Sequence, residues 1–249
     1  MKEIKTKLKK LKELGVVGIK QSTEDEGAAY EDIALMRDIS RSCELKLSVK
    51  IGGCEAKTDI SFCNSIKVNK IVAPMIESEF ALQKFTESIC CIKDIDFYIN
   101  IESNMAIDNL DIILQSDSFK HLSGVVIGRS DLAKSYGYGK GMVDSQEMQN
   151  RVYDILKTCG EKSPTLIMGG NINKQSVPFI EKLYRENLLH LIETRNVIID
   201  LEKAFSKDLE EVIKMALTFE SAWLEFKANK YLAKGREYMD RAKQIEDRL

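Results

Sequence analysis

Short, mostly apolar runs recur along this chain, and amphipathic segments fill the gaps between them. The runs cover residues 15–20, 45–51, 70–74, 97–101, 124–128, 165–169 and 189–193, with a weaker eighth at 197–200. Most are rich in Val and Ile and are apolar throughout rather than at alternate positions. Strands buried on both faces have that pattern. The intervening segments 31–42, 55–65, 78–92, 104–114, 145–158 and 174–184 carry apolar residues at helical spacing, as Ile33, Met36 and Ile39 do. Strand and helix in alternation predict a parallel sheet with helices outside it. Seven or eight strands in 249 residues fit a TIM-type (β/α)8 barrel, an α/β fold that takes about 250 residues. No Gly-x-Gly-x-x-Gly follows the first run, which argues against a dinucleotide-binding open sheet.

Beyond the eighth run the pattern changes. Residues 1–200 are assigned to the barrel and 201–249 to a C-terminal helical extension. The extension reads as two long helices, 201–230 and 231–249, broken near Gly235 or at residues 229–230. Its Trp223, Leu224, Phe226, Tyr231 and Tyr238 require cover from the barrel or from a second subunit, so a homo-oligomer is expected. Only a lysine-rich helix, a solvated face, precedes the first run. Whether residues 197–200 close the barrel, or a partner chain does, is left open by periodicity.

The formal net charge is −2, which gives no basic surplus for nucleic acid. No long apolar run or leader-like segment suggests a membrane. Six cysteines without a Cys-x-x-Cys pair are expected to be reduced thiols in a cytoplasmic protein. Two histidines leave little for a His-rich zinc site or a Ser-His-Asp triad.

Chemistry concentrates at strand ends. Ile99-Asn-Ile-Glu102-Ser103 and Gly124-Val-Val-Ile-Gly128-Arg-Ser-Asp131-Leu132 each end an apolar run in a carboxylate. Glu102 and Asp131 lie roughly 30 residues apart, one strand–helix–strand unit. Neighbouring parallel strands end on the same face, so the two acids converge and are suited to a hard divalent cation. The alternative is that both are first-turn or capping acids of helices. Lys50 ends the second run just before Gly52 and Gly53, where a cation and open backbone N–H groups suit an anion. Glu24 and Glu26 follow the first run, and either suits proton transfer if its surroundings raise its pKa. Arg129 and Arg195 are candidates for a substrate carboxylate or phosphate, or else rim ion pairs.

These motifs, together with Val72-Ala-Pro74-Met75-Ile-Glu77-Ser78, resemble the HpcH/HpaI aldolase and citrate lyase β-subunit superfamily over residues 15–195. The resemblance implies a phosphoenolpyruvate/pyruvate-type barrel with Mg²⁺ or Mn²⁺ on Glu102 and Asp131. It implies carbon–carbon lyase or aldolase chemistry through a pyruvate-type enolate, on a 2-oxo acid, sugar acid or aldehyde substrate. In the family an Arg usually grips the pyruvate carboxylate where this chain has Lys50, which lacks the planar fork. Some members have a His–Asp pair in the loop matching residues 21–27, and this chain has no His there. Two other functions stay in view: a catalytically silent barrel that binds a small acid or scaffolds a partner, and a CoA-thioester lyase of the citrate or malyl-CoA type.

Overall fold

The computed structural model describes residues 1–24 and 26–249. Helix α1 (Lys2–Glu13) leads into β1 (Val16–Ser22), and α2 (Tyr30–Ser42), β2 (Lys46–Lys50), α3 (Lys57–Ser65), β3 (Lys70–Ala73), α4 (Glu79–Ile89) and β4 (Asp96–Ile101) follow. The region after β4 has two short helices, α5 (Asn104–Asp108) and α6 (Leu110–Gln115). Then come β5 (Gly124–Gly128), α7 (Arg129–Ser135), α8 (Gln146–Gly160), β6 (Leu166–Gly169), α9 (Val177–Arg185), β7 (Leu191–Glu193), β8 (Val197–Asp200), α10 (Leu201–Ala204) and α11 (Leu209–Glu246).

The strands close in sequence order into an eight-stranded barrel. From β1 to β7 every neighbour is parallel, and the register puts Ile101 beside Ile127 and Gly128 beside Gly169. Their C-terminal ends therefore share one rim, which is where TIM-type barrels hold their sites. The apolar runs form strands because both faces are covered: Ile71, Ile99, Val125, Ile127 and Met168 pack under the helices. Val72, Tyr98, Val126 and Ile167 fill the barrel interior.

The seam departs from an all-parallel (β/α)8 pattern. No helix separates β7 from β8, and β8 returns antiparallel to both β7 and β1. A single hairpin turn at residues 194–196, closed by Thr194 N–H on Val197 O at 3.0 Å, reverses the chain at the rim. The barrel is thus closed within one chain.

The extension also differs from expectation. Instead of two long helices broken near residues 229–235, short α10 is followed by α11, which runs unbroken through Gly235. Gly235 meets no crowding and sits in solvent, so its cost is one of helix propensity, about 1 kcal/mol, and not of geometry. Val212, Ile213, Ala216, Phe219 and Trp223 bury one side of α11 against the barrel. From Tyr231 onward every residue is exposed. Among the described residues no helix is long and apolar enough to cross a membrane.

Candidate active site

Two groups of side chains meet at the C-terminal rim, around a cavity of about 540 Å³. The first is built on β2, β4 and β5. Lys50 is the last residue of β2, and Glu102 follows β4 directly. Asp131 lies in the first turn of α7, just beyond β5. Lys50, Glu102 and Asp131 all line the cavity. Lys50 Nζ stands 3.1 Å from Glu102 Oε2 and 3.1 Å from Glu24 Oε2, so one ammonium bridges two carboxylates. Burial works against the Lys50 charge, but Glu102 and Glu24 outweigh it and raise its pKa above 10.5.

Glu102 is the most constrained of the three. Asn100 Nδ2 donates to its Oε2 at 2.7 Å, and the Met75 N–H donates to its Oε1 at 3.0 Å. Met75 reaches that oxygen with φ at 49°, a left-handed conformation that costs a non-glycine residue of order 1 kcal/mol. Across the carboxylate lies Gly128, where a Cβ would fall 2.7 Å from Glu102 Oε2. The glycine ending β5 is therefore what lets the Glu102 carboxylate occupy this place. Asp131 is less enclosed, and its Oδ1 accepts from Lys134 Nζ at 2.7 Å.

The second group sits at the seam, on β1, β7, the 194–196 turn and α11. Lys20 Nζ donates to Glu193 Oε2 at 3.1 Å. The other Glu193 oxygen and Asn100 Oδ1 are buried acceptors without a hydrogen-bond donor among the described residues. Such acceptors at a cavity wall suit a ligand that carries hydroxyl or amino protons. Glu26 accepts from Asn196 Nδ2 at 3.0 Å and lies 3.8 Å from Arg195 Nη1. Burial raises the Glu26 pKa above 4.5 despite Arg195 and Asn196. Glu220, from α11, accepts the Thr194 hydroxyl at 2.6 Å and the Asn196 N–H at 2.5 Å, and burial raises its pKa too.

The structure thus brings Lys50, Glu102, Asp131, Glu26 and Arg195 to one cavity, with Glu24 held to it through Lys50. It does not bring Arg129 there. That guanidinium is buried and fully engaged: with Asp144 Oδ1 at 2.8 Å, Gly170 O at 2.8 Å and Ser176 Oγ at 3.0 Å. Arg129 clamps the loop after β6 instead of facing a ligand. Gly52 and Gly53 also lie outside the cavity lining. The Gly52 N–H is taken by Asp59 Oδ2 at 2.8 Å, which removes it from anion binding. Glu77 accepts the Ser103 hydroxyl at 2.6 Å and supports the start of α5.

Lys20, Asn100, Glu193 and Glu220 were not among the residues expected. The first three occupy the ends of strands that the apolar runs delimit, so the rule that located Glu102 applies equally to Lys20 and Glu193. Glu220 carries no such signal, because a tail helix delivers it from 24 positions beyond its partner Asn196.

A HpcH/HpaI aldolase/citrate lyase family protein from Burkholderia cenocepacia superposes with a TM-score of 0.59. The identity is 12%, over 88% of this chain and 98% of that one. The chain has the fold of that family's barrels. Citrate synthase SbnG superposes with a TM-score of 0.59 at 13% identity, over 90% of this chain and 98% of its own. RipC from Yersinia pestis gives a TM-score of 0.52 at 18% identity, over 70% and 80% respectively. No protein-family model matches the chain, and no curated protein sequence matches it.

Proposed function

We propose that the protein is a divalent-metal-dependent carbon–carbon lyase or aldolase that works through a pyruvate-type enolate of a 2-oxo acid or sugar acid. The observation that carries this reading is that Glu102 and Asp131, at the ends of adjacent parallel strands, line one cavity with Lys50. The donor set fits Mg²⁺ or Mn²⁺, since carboxylate oxygens suit hard cations. Among the described residues no three His, Cys, Asp or Glu converge as a cage. Two protein ligands leave positions for water and a bidentate 2-oxo acid. The space that Gly128 leaves beside Glu102 belongs to the same fit. When bound, the cation supplies a Lewis acid for the charge of the enolate.

The chain's own groups take the remaining roles. Lys50, anchored between Glu24 and Glu102, offers its ammonium to the substrate carboxylate as a point charge. Glu26 holds its proton above the ordinary carboxylate range, which suits it to proton transfer where relatives use histidine. Arg195 adds positive charge at the mouth, and the free acceptors of Asn100 and Glu193 face the hydroxyl groups of a sugar-acid portion.

A second reading has one observation in its favour. Lys50 is already neutralised by two carboxylates, as it would be in a barrel that binds a small acid without turning it over. Enolisation separates the two. Pyruvate is incubated with the protein and Mn²⁺ or Mg²⁺ in D₂O, and deuterium at its methyl carbon is followed by NMR. The lyase reading expects exchange that stops with EDTA and in Glu102→Gln. Metal-replete protein that binds pyruvate without exchange supports the silent barrel.

A further inference from the structure

Helix α11 leaves its seat on the barrel with an apolar stripe to one side of its barrel-facing line. Leu217, Leu224, Tyr231, Tyr238 and Ile245 follow one another at intervals of seven residues, and their exposure runs from 40% at Leu217 to 60% at Tyr238. Four positions after each of them comes Ser221, Ala228, Gly235, Ala242 or Leu249. The two rows together make a seam with the 4-3 spacing of a heptad repeat. The seam lies roughly 120° round the helix from the line through Ala216 and Trp223 that faces the barrel.

The strict interval of seven is informative. An ideal helix drifts about 20° per heptad against such a stripe, so the stripe stays in one contact only if the helix supercoils about another. A flat lipid surface or a shallow groove sets no such period. Beyond Tyr231, whose hydroxyl donates to Asp32 on α2, the described residues of α11 show no bond to the barrel that would hold the overhang helical. We propose that α11 pairs with α11 of a second copy, as a parallel two-stranded coiled coil along residues 224–249.

Charge selects a second copy in parallel orientation. The residues flanking one edge of the seam are Lys227, Lys234, Arg241 and Arg248. The other edge carries Glu225, Leu232, Met239 and Glu246. In a parallel pair the first edge of one helix meets the second edge of the other, five residues on. Arg241 then faces Glu246 of the second copy, and the methylene stem of Lys234 covers its Met239, while Lys227 stays with Asp32 of its own barrel. An antiparallel pair would set the basic edge against itself. Because the seam lies to one side of the barrel-facing line, the two barrels would sit on either side of the pair.

The test is the solution mass of the full chain, by light scattering and by sedimentation at tens of micromolar. Twice 28.3 kDa is expected. Tyr238→Glu combined with Ile245→Glu, both in the overhang and clear of the barrel, should return the mass to a monomer with the barrel's near-ultraviolet circular dichroism unchanged. Ala242→Cys should give a link between the two copies of residue 242 under mild oxidation, read by peptide mass spectrometry. A full-length monomer would overturn the proposal. So would a dimer that survives the double variant, or a monomer that cosediments with phosphatidylserine vesicles. A link from residue 242 to some other position only would overturn the parallel orientation.

Discussion

The two halves of the rim are built by different means. The half at β2, β4 and β5 is local: Lys50, Glu102 and Asp131 stand at or just past the ends of their own strands, and strand register alone brings them together. The half at the seam is assembled from distant sequence. There β1 meets β8, Lys20 reaches Glu193 across the reversed strand, and α11 delivers Glu220 to the turn that makes the reversal. The first arrangement leaves charge poised at a cavity, and the second ties the barrel shut. Substitutions in the first half should therefore act on ligand binding beyond any effect on stability, and those in the second on closure.

Lys50→Ala is the variant with the largest expected effect on stability. It leaves Glu102 and Glu24 without their shared cation, and Glu102 is almost wholly buried. Removing one partner of a buried pair costs about 3–5 kcal/mol, and urea unfolding at neutral pH measures it. Pyruvate affinity, by titration calorimetry with Mg²⁺ present, should fall as well. Unchanged stability and affinity would show that Lys50 neither balances the two carboxylates nor binds the substrate.

Glu220 sharpens the other side. Glu220→Ala leaves the Thr194 hydroxyl and the Asn196 N–H without their acceptor, a loss of about 1–3 kcal/mol. Glu220→Gln retains an acceptor oxygen and should lose much less. The two variants also differ in pH dependence. The folded pKa of Glu220 is raised above 4.5 by burial, so its contribution is fully present below that value and is lost as pH rises through the folded pKa. Glu26 has the same sign. Unfolding curves from acidic to neutral pH should show the wild type losing more stability than Glu220→Gln. Parallel curves would show that the Glu220 charge is not opposed by burial.

Asp131→Asn should have the smallest effect on stability. Asp131 is partly exposed, sits in the first turn of α7, and pairs with a solvent-facing Lys134 within its own helix. Such contacts give about 0–1 kcal/mol, visible as a small shift in Tm. A loss several times larger would make Asp131 a structural residue and weaken its assignment to a ligand site.

The same division explains what could be read from the sequence. The strands were legible because burial on both faces leaves uninterrupted Val and Ile, as at residues 124–128. The rim carboxylates were legible because they end such runs. The reversal of β8 was not, since an antiparallel strand buried on both faces has the same composition as a parallel one. Arg129 was misplaced for a physical reason: a guanidinium satisfied by Asp144, Ser176 and a carbonyl looks in sequence like one waiting for a ligand. Gly235 suggested a break in the tail, but one glycine in a long helix costs too little to end it. Glu220 depends on a contact between α11 and the hairpin turn that no local pattern records.

Whether Glu102 and Asp131 hold a cation together is the question on which the functional reading rests. Mn²⁺ titration followed by the electron paramagnetic resonance of the free ion answers it directly. The account predicts one Mn²⁺ bound per chain, competed by Mg²⁺, and lost in both Glu102→Gln and Asp131→Asn while the barrel stays folded. Wild-type protein that leaves all the Mn²⁺ free, or binding that survives both substitutions, would contradict it.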